Sequence, residues 1–215
     1  MKLSELAAAA DTTTASVKFY IREGLLPPGE KRNQTTAVYG RPHLERLELI
    51  LGLRRHIGSS LETIRALTEV IDDPEAGDLA VMEAAQTLAV GERRPPEGRA
   101  EASGGGDGRE ALRDVMETQG WPDAASAARA AVEERIARSA AVGIEWRTDT
   151  LRTIADAVGR IGTLGLDMTG SRDRTALGVA VGTYELSRLV VDMLRLAQTS
   201  ESISRLSGGR PTGPE

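Results

Sequence analysis

The stretch Thr14-Ala15-Ser16-Val17-Lys18-Phe19-Tyr20-Ile21-Arg22-Glu23-Gly24-Leu25-Leu26-Pro27-Pro28 reads as a short helix with a hard stop. Thr14 offers a hydroxyl to a free amide of the first turn. Val17, Phe19, Tyr20 and Ile21 give one apolar side, and Lys18 and Arg22 stand four residues apart on another. Gly24 suits the left-handed residue that ends a helix, and Pro27-Pro28 cannot continue one. A basic helix of about two turns, carrying hydroxyls and aromatic rings, suits a DNA groove. An ordinary surface helix has the same pattern.

Upstream, Ser4 caps a helix through Glu5-Leu6-Ala7-Ala8-Ala9-Ala10, and Asp11-Thr12-Thr13 forms a turn. Two short helices so spaced make a helix-turn-helix, whose second helix enters the major groove, or a plain helical hairpin. Downstream, Glu30 to Tyr39 is polar, β-tolerant and basic, and it lies between Pro28-Gly29 and Arg41-Pro42. It predicts a small hairpin, a wing, in which Lys31, Arg32, Asn33 and Gln34 meet phosphates; a solvated loop is the alternative. Pro42 opens a third helix with Leu44, Leu47, Ile50, Leu51, Leu53 and Ile57 at helical spacing. Ser59-x-x-Glu62 opens a fourth with Leu61, Ile64, Leu67, Val70 and Ile71.

Taken together, residues 1–72 resemble the winged helix-turn-helix domain of MerR-family transcription regulators. The resemblance rests on Leu3-Ser4-Glu5-Leu6-Ala7, Ser16-Val17-Lys18-Phe19-Tyr20 and Arg22-Glu23-Gly24-Leu25-Leu26-Pro27-Pro28. Tyr39, Leu44-Glu45-Arg46-Leu47, Ile50, Gly58 and Ser60-Leu61-Glu62-Thr63-Ile64-Arg65 complete it. It implies a homodimer on double-stranded promoter DNA, bending and untwisting a dyad-symmetric site so that RNA polymerase engages it. The DNA-binding residues it points to are Thr14, Ser16, Lys18, Phe19, Tyr20, Lys31, Arg32, Asn33, Gln34, Tyr39 and Arg41. Three positions depart from the family pattern. Lys18 replaces an arginine and so lacks its bidentate fork, Ile21 replaces an acidic residue, and Thr36-Ala37 stands where the wing usually carries Tyr-Arg.

The charge distribution agrees. The net charge is −5, yet residues 1–58 hold nine Lys and Arg against six Asp and Glu, leaving the acidity to the remainder. There is no cysteine, which excludes disulfides and thiolate metal sites, and His43 and His56 are the only histidines. No metal site or cofactor is expected. No apolar run approaches the ~20 residues of a membrane span, and no signal-peptide pattern opens the chain, so a cytoplasmic location without membrane contact is expected. Nucleotide loops, Gly-x-Ser-x-Gly and cysteine nucleophiles are missing, so an enzyme is not expected.

The expected architecture is mainly α. A winged helix-turn-helix with a small β wing spans 1–72, a linker or dimerisation helix 73–90, and a flexible linker 91–108. An all-helical effector-binding or dimerisation domain spans 109–206, with a disordered tail at 207–215. Asp78 caps the helix of 73–90, whose heptad-like set of Leu79, Met82, Gln86 and Ala89 is weak for a coiled coil. Asp123 caps a run through Ala124 to Val142. In the helical part Trp121, Trp146, Asp149 and Tyr184 are candidates for binding a small organic effector, with Trp as core filler the plainer reading. The other functional reading is a ligand-independent regulator whose bundle is a protein-interaction or assembly module.

Overall fold

A computed structural model describes residues 1–31, 37–91, 106–122, 125–162, 164 and 169–207. Arg32, Asn33, Gln34 and Asp123, most of the expected 91–108 linker and nearly all of the 207–215 tail lie outside the described residues.

Helix α1 (Leu3–Ala9) starts earlier than its Ser4 suggests: the backbone N–H of Lys2 donates to the Glu5 carboxylate at 2.9 Å. Asp11, at φ 50, makes the turn. Helix α2 (Thr14–Arg22) is capped by Thr13 rather than Thr14, the Thr13 hydroxyl accepting the Ser16 N–H at 3.1 Å. Gly24 adopts φ 73 past the end of α2, which drops Leu25 and Leu26 into the core. Strands β1 (Glu30–Lys31) and β2 (Ala37–Val38) pair antiparallel, Glu30 opposite Val38 and Lys31 opposite Ala37. Met1 and Tyr39 exchange backbone hydrogen bonds of 2.8 and 2.9 Å, which ties the start of the chain to the foot of this wing.

Helix α3 (Arg41–Gly52) passes into a π-helical turn (Leu53–Ile57), and α4 (Leu61–Asp72) follows. The cap of α4 is Ser60, accepting from the Thr63 N–H at 3.1 Å, one residue after the expected Ser59. Leu6, Val17, Leu25, Leu47, Leu49, Ile50, Leu53 and Ile64 have no exposed surface and form the centre of this head. Burying a side chain of this kind contributes about 1.5–3 kcal/mol.

Two elements correct the expected domain plan. Helix α5 (Asp78–Val90) buries Val81, Ala85 and Leu88 in the head core, against α4 and α9, so it packs within its own chain. Gly77, not Asp78, occupies its cap position. Helix α9 (Arg172–Leu206), 35 residues and about 52 Å long, buries Ala176, Val179 and Ala180 in that same core. Its small residues let it lie close to α3 and the π turn. A methyl group on Gly52 would stand 2.6 Å from Leu177 of α9. Residues 109–206 are therefore not one separate bundle.

Helices α6 (Gly106–Gln119), α7 (Ala127–Ala141) and α8 (Thr148–Ile161) form a second packing unit around Ala111, Leu112, Val115, Ile136 and Ala155. Ser126 caps α7, its hydroxyl accepting from the Arg129 N–H at 3.1 Å. No helix among the described residues is long and apolar enough to cross a membrane.

Candidate nucleic-acid interface and helical cleft

The face that α2 offers follows from what it buries. Val17 and Tyr20 point into the core, which turns Thr14, Ala15, Lys18 and Arg22 outward. Ser16 is half-buried, and its hydroxyl lies 2.9 Å from that of Thr13. Arg22 stacks over the Phe19 ring at 5.6 Å, and Phe19 meets Tyr20 edge-on at 5.4 Å. Behind α2, the Arg65 guanidinium of α4 donates to the Glu23 carbonyl at 3.0 Å, which fixes the end of the helix against α4.

Two of the candidate residues are core residues instead. Tyr20 and Tyr39 are each only 7% exposed, because their rings fill the space beneath α2 and beneath the wing. Tyr39 contacts the His43 ring edge-on at 5.3 Å. A methyl group on Gly29 would stand 2.8 Å from the Tyr39 ring and 3.0 Å from the Val38 carbonyl, so the wing closes over bare backbone. Lys31 is exposed on β1. Arg41 is exposed but not free: its Nε donates to Glu45 at 2.8 Å. That bond, and one from Ser171, hold the Glu45 carboxyl below its ordinary range. Arg54, Arg55 and His56 are also exposed, on the π turn, and Arg55 lies 3.8 Å from Asp11.

Sequence reasoning missed Arg46. It is 6% exposed and forks onto Asp72 at the end of α4 with bonds of 2.5 and 2.9 Å, while its Nε donates to Asp173 in the first turn of α9. Burial works against the guanidinium charge, but the bonds to Asp72 and Asp173 outweigh it and hold its pKa above the ordinary range. Burial acts on Asp173 in the other direction, raising its carboxyl despite Arg46. The available signal was an arginine one position before Leu47 and four before Ile50, in step with the buried side of α3. Beside it, Arg172 donates to the Asp73 carbonyl at 3.1 Å and the Ala76 carbonyl at 2.6 Å. The root of α9 is thus locked to the turn between α4 and α5.

The four effector candidates separate. Trp146 and Asp149 line an open cleft of about 800 Å³ between α6, α7 and α8, with Glu110, Asp114, Ile136, Glu145 and Arg147 on the same wall. Arg147 pairs with Asp149 at 3.7 Å, and Arg152 with Asp114 at 2.7 Å. Trp121 is not on that wall; it lies against Gly159 of α8. Tyr184 is on α9, under the Arg188 guanidinium at 5.2 Å. Among the described residues no three His, Asp or Glu side chains are grouped to hold a metal.

Residues 1–70 match the family model described as "MerR HTH family regulatory protein". Residues 1–70 thus form a MerR-type helix-turn-helix head. The MerR head is 33% identical over 67 residues to a Haemophilus influenzae protein named "HTH-type transcriptional regulator ZntR homolog". That alignment covers 31% of the chain and 49% of the relative. A Vibrio cholerae relative, "HTH-type transcriptional regulator CueR", is 30% identical over 86 residues, covering 40% of the chain and 61% of the relative. The alignments thus span about half to three-fifths of these curated relatives, which are transcriptional regulators rather than enzymes. A solved structure titled "Crystal structure of the putative transcriptional regulator SCO5550 from Streptomyces coelicolor A3(2)" shares the fold along the chain. Its TM-score is 0.69 at 23% identity, covering 98% of this chain and 100% of that one. The mainly helical architecture, with its two-stranded wing, is the one the sequence predicts.

Proposed function

We propose that the protein is a cytoplasmic, homodimeric transcription regulator that reads promoter DNA with α2 and answers to a small organic molecule in the α6–α8 cleft. The observation that carries the DNA reading is the division of α2. Its Val17 and Tyr20 edge is anchored in the core, while Thr14, Lys18 and Arg22 are exposed, as is Lys31 on the wing. A rigidly held helix with an outward cation and hydroxyl suits the major groove, and exposed wing cations suit flanking phosphates. As in the family it resembles, the bound dimer would deform the promoter for RNA polymerase, at a cost of about 1–6 kcal/mol met by contacts at both half-sites.

The effector reading is carried by Trp146. It sits in the wall of the cleft with carboxylates at hand, which gives an aromatic face and polar groups for orienting an organic ligand. With no cysteine in the chain, a thiolate metal site is not available as the sensing element.

The test is selection of duplexes from a random DNA pool by the full-length protein, followed by a binding titration on the winning sequence. Enrichment of a dyad-symmetric site with nanomolar to micromolar affinity supports the reading. Recovery of no preferred sequence, or of an asymmetric one bound by a single chain, contradicts it.

A further inference from the structure

The cleft between α6, α7 and α8 has two kinds of lining. Ala111, Ile136, Ala137, Ala140 and Ile144 are apolar, and Trp146 adds a ring that is 36% exposed. The polar lining is one-sided in charge: Glu110, Asp114, Glu145 and Asp149 stand against a single cation, Arg147.

The ion pairs leave that imbalance in place. Asp114 is held at 2.7 Å by Arg152, which is not part of the lining. Arg147 reaches Asp149 only at 3.7 Å, with both side chains largely exposed. Glu110 and Glu145 meet no cation among the described residues. Two carboxylates therefore face the cleft with no counter-charge from the protein.

This lining sets the charge of what it can hold. An anion would meet Arg147 only by displacing Asp149, and would then stand among unpaired carboxylates. A neutral molecule would leave Glu110 and Glu145 as they are. A divalent metal has no nest here, because among the described residues no three acidic or His side chains are grouped to hold one. A small hydrophilic cation would leave Ile144 and the Trp146 ring uncovered. An organic cation uses both linings. Its apolar body covers Ile136 and Ile144, and its charge is drawn to the negative face of the Trp146 ring and to the free carboxylates.

We infer that the cleft takes an organic cation, an ammonium or other onium group on an apolar body, recognised by Trp146, Glu110 and Glu145. The inference rests on the effector reading of the preceding section and adds to it the chemical class of the ligand.

Three phenyl-substituted compounds separate charge from apolar contact: cationic tetraphenylphosphonium, neutral triphenylphosphine oxide and anionic tetraphenylborate. Each is titrated into full-length Trp121→Phe protein, whose fluorescence comes from Trp146 alone. The phosphonium should bind at least about tenfold more tightly than the oxide, and the borate more weakly than either. Added salt should weaken the phosphonium and spare the oxide. In the same background, Glu110→Gln and Glu145→Gln should each weaken the phosphonium severalfold and leave the oxide unchanged. Both side chains are exposed, so the melting temperature should stay where it was. Arg147→Gln should tighten the phosphonium, since it removes the one like charge in the lining. Equal binding of all three compounds, tightest binding of the borate, or a phosphonium affinity indifferent to both glutamine substitutions would overturn the cation class and leave the cleft an organic effector site. No response of Trp146 to any of the three would remove the effector reading itself.

Discussion

Arg46 of α3 donates its Nε to Asp173 in the first turn of α9, joining two residues 127 positions apart across the core of the head. The same guanidinium forks onto Asp72, so one buried cation fixes α3, the end of α4 and the start of α9. The root of α9 cannot shift without breaking this fork. The head and the root of α9 thus share one core, while α6–α8 pack mainly on one another and touch the head through α7 and α5.

Removing Arg46 should expose how much depends on it. Arg46→Met leaves the Asp173 carboxylate, 14% exposed, without its cation, and should destabilise the protein by about 3–5 kcal/mol. Asp72 is 60% exposed and keeps its water, so Asp72→Asn should cost about 1 kcal/mol or less. Urea unfolding of both variants checks the order; equal effects would mean the Asp173 bond contributes little.

The foot of the wing gives a second prediction. Gly29→Ala places a methyl group against the buried Tyr39 ring and the Val38 carbonyl, neither of which has room to retreat. A loss of about 1–3 kcal/mol is expected, as for other overpacked sites. At Gly24 there is open space but φ is 73, so Gly24→Ala should cost about 1–2 kcal/mol through the backbone alone. Tyr39→Phe beside Gly29→Ala separates ring crowding from loss of the hydroxyl: thermal unfolding should show a large effect only for the glycine.

The two carboxylates at the α3–α9 seam respond to acid with opposite sign. Glu45 is held below its ordinary 4.5 by its bonds to Arg41 and Ser171, so its contribution is full above that value and is lost as pH falls through the lower folded value. Asp173 is held above its ordinary 3.8 by burial, so the folded state takes up its proton first and acid relieves a penalty there. Stability measured by urea between about pH 6 and pH 3 should therefore fall less steeply in Glu45→Gln and more steeply in Asp173→Asn than in wild type. The reverse order would invalidate the assignment.

Trp146 and Trp121 are the only tryptophans and stand in different places, one in the cleft and one against α8. An organic ligand in the cleft should change fluorescence in Trp121→Phe, which keeps Trp146, and leave Trp146→Phe nearly silent. A response carried by Trp121 alone would move the ligand elsewhere.

The head was legible in the sequence because its signals are local. Gly24 after α2, Pro42 in α3 and the apolar spacing of α3 and α4 each act within a few residues, and each appears where it was read. The caps moved by one residue, from Thr14 to Thr13 and from Ser59 to Ser60, because adjacent hydroxyls compete and backbone geometry chooses between them. The burial of Tyr20 and Tyr39 is not legible in the sequence, since an aromatic ring in a basic stretch suits DNA as well as a core. What the sequence hid is long-range. Nothing near Ala176, Val179 or Ala180 says that their helix returns to the head, and nothing near Arg46 says that Asp173 awaits it. That return also explains why α5 is too short and too mixed for a coiled coil: α9 covers it.

The claim on which the account turns is that the outward face of α2 reads DNA, and Lys18 is its most exposed test. A titration of the selected duplex with wild type and Lys18→Ala, alongside thermal unfolding of both, measures it most directly. The account predicts at least a tenfold loss of affinity, about 1.4 kcal/mol or more, with no change in melting temperature, since Lys18 lies outside the core. Unchanged affinity in a folded Lys18→Ala protein would contradict it.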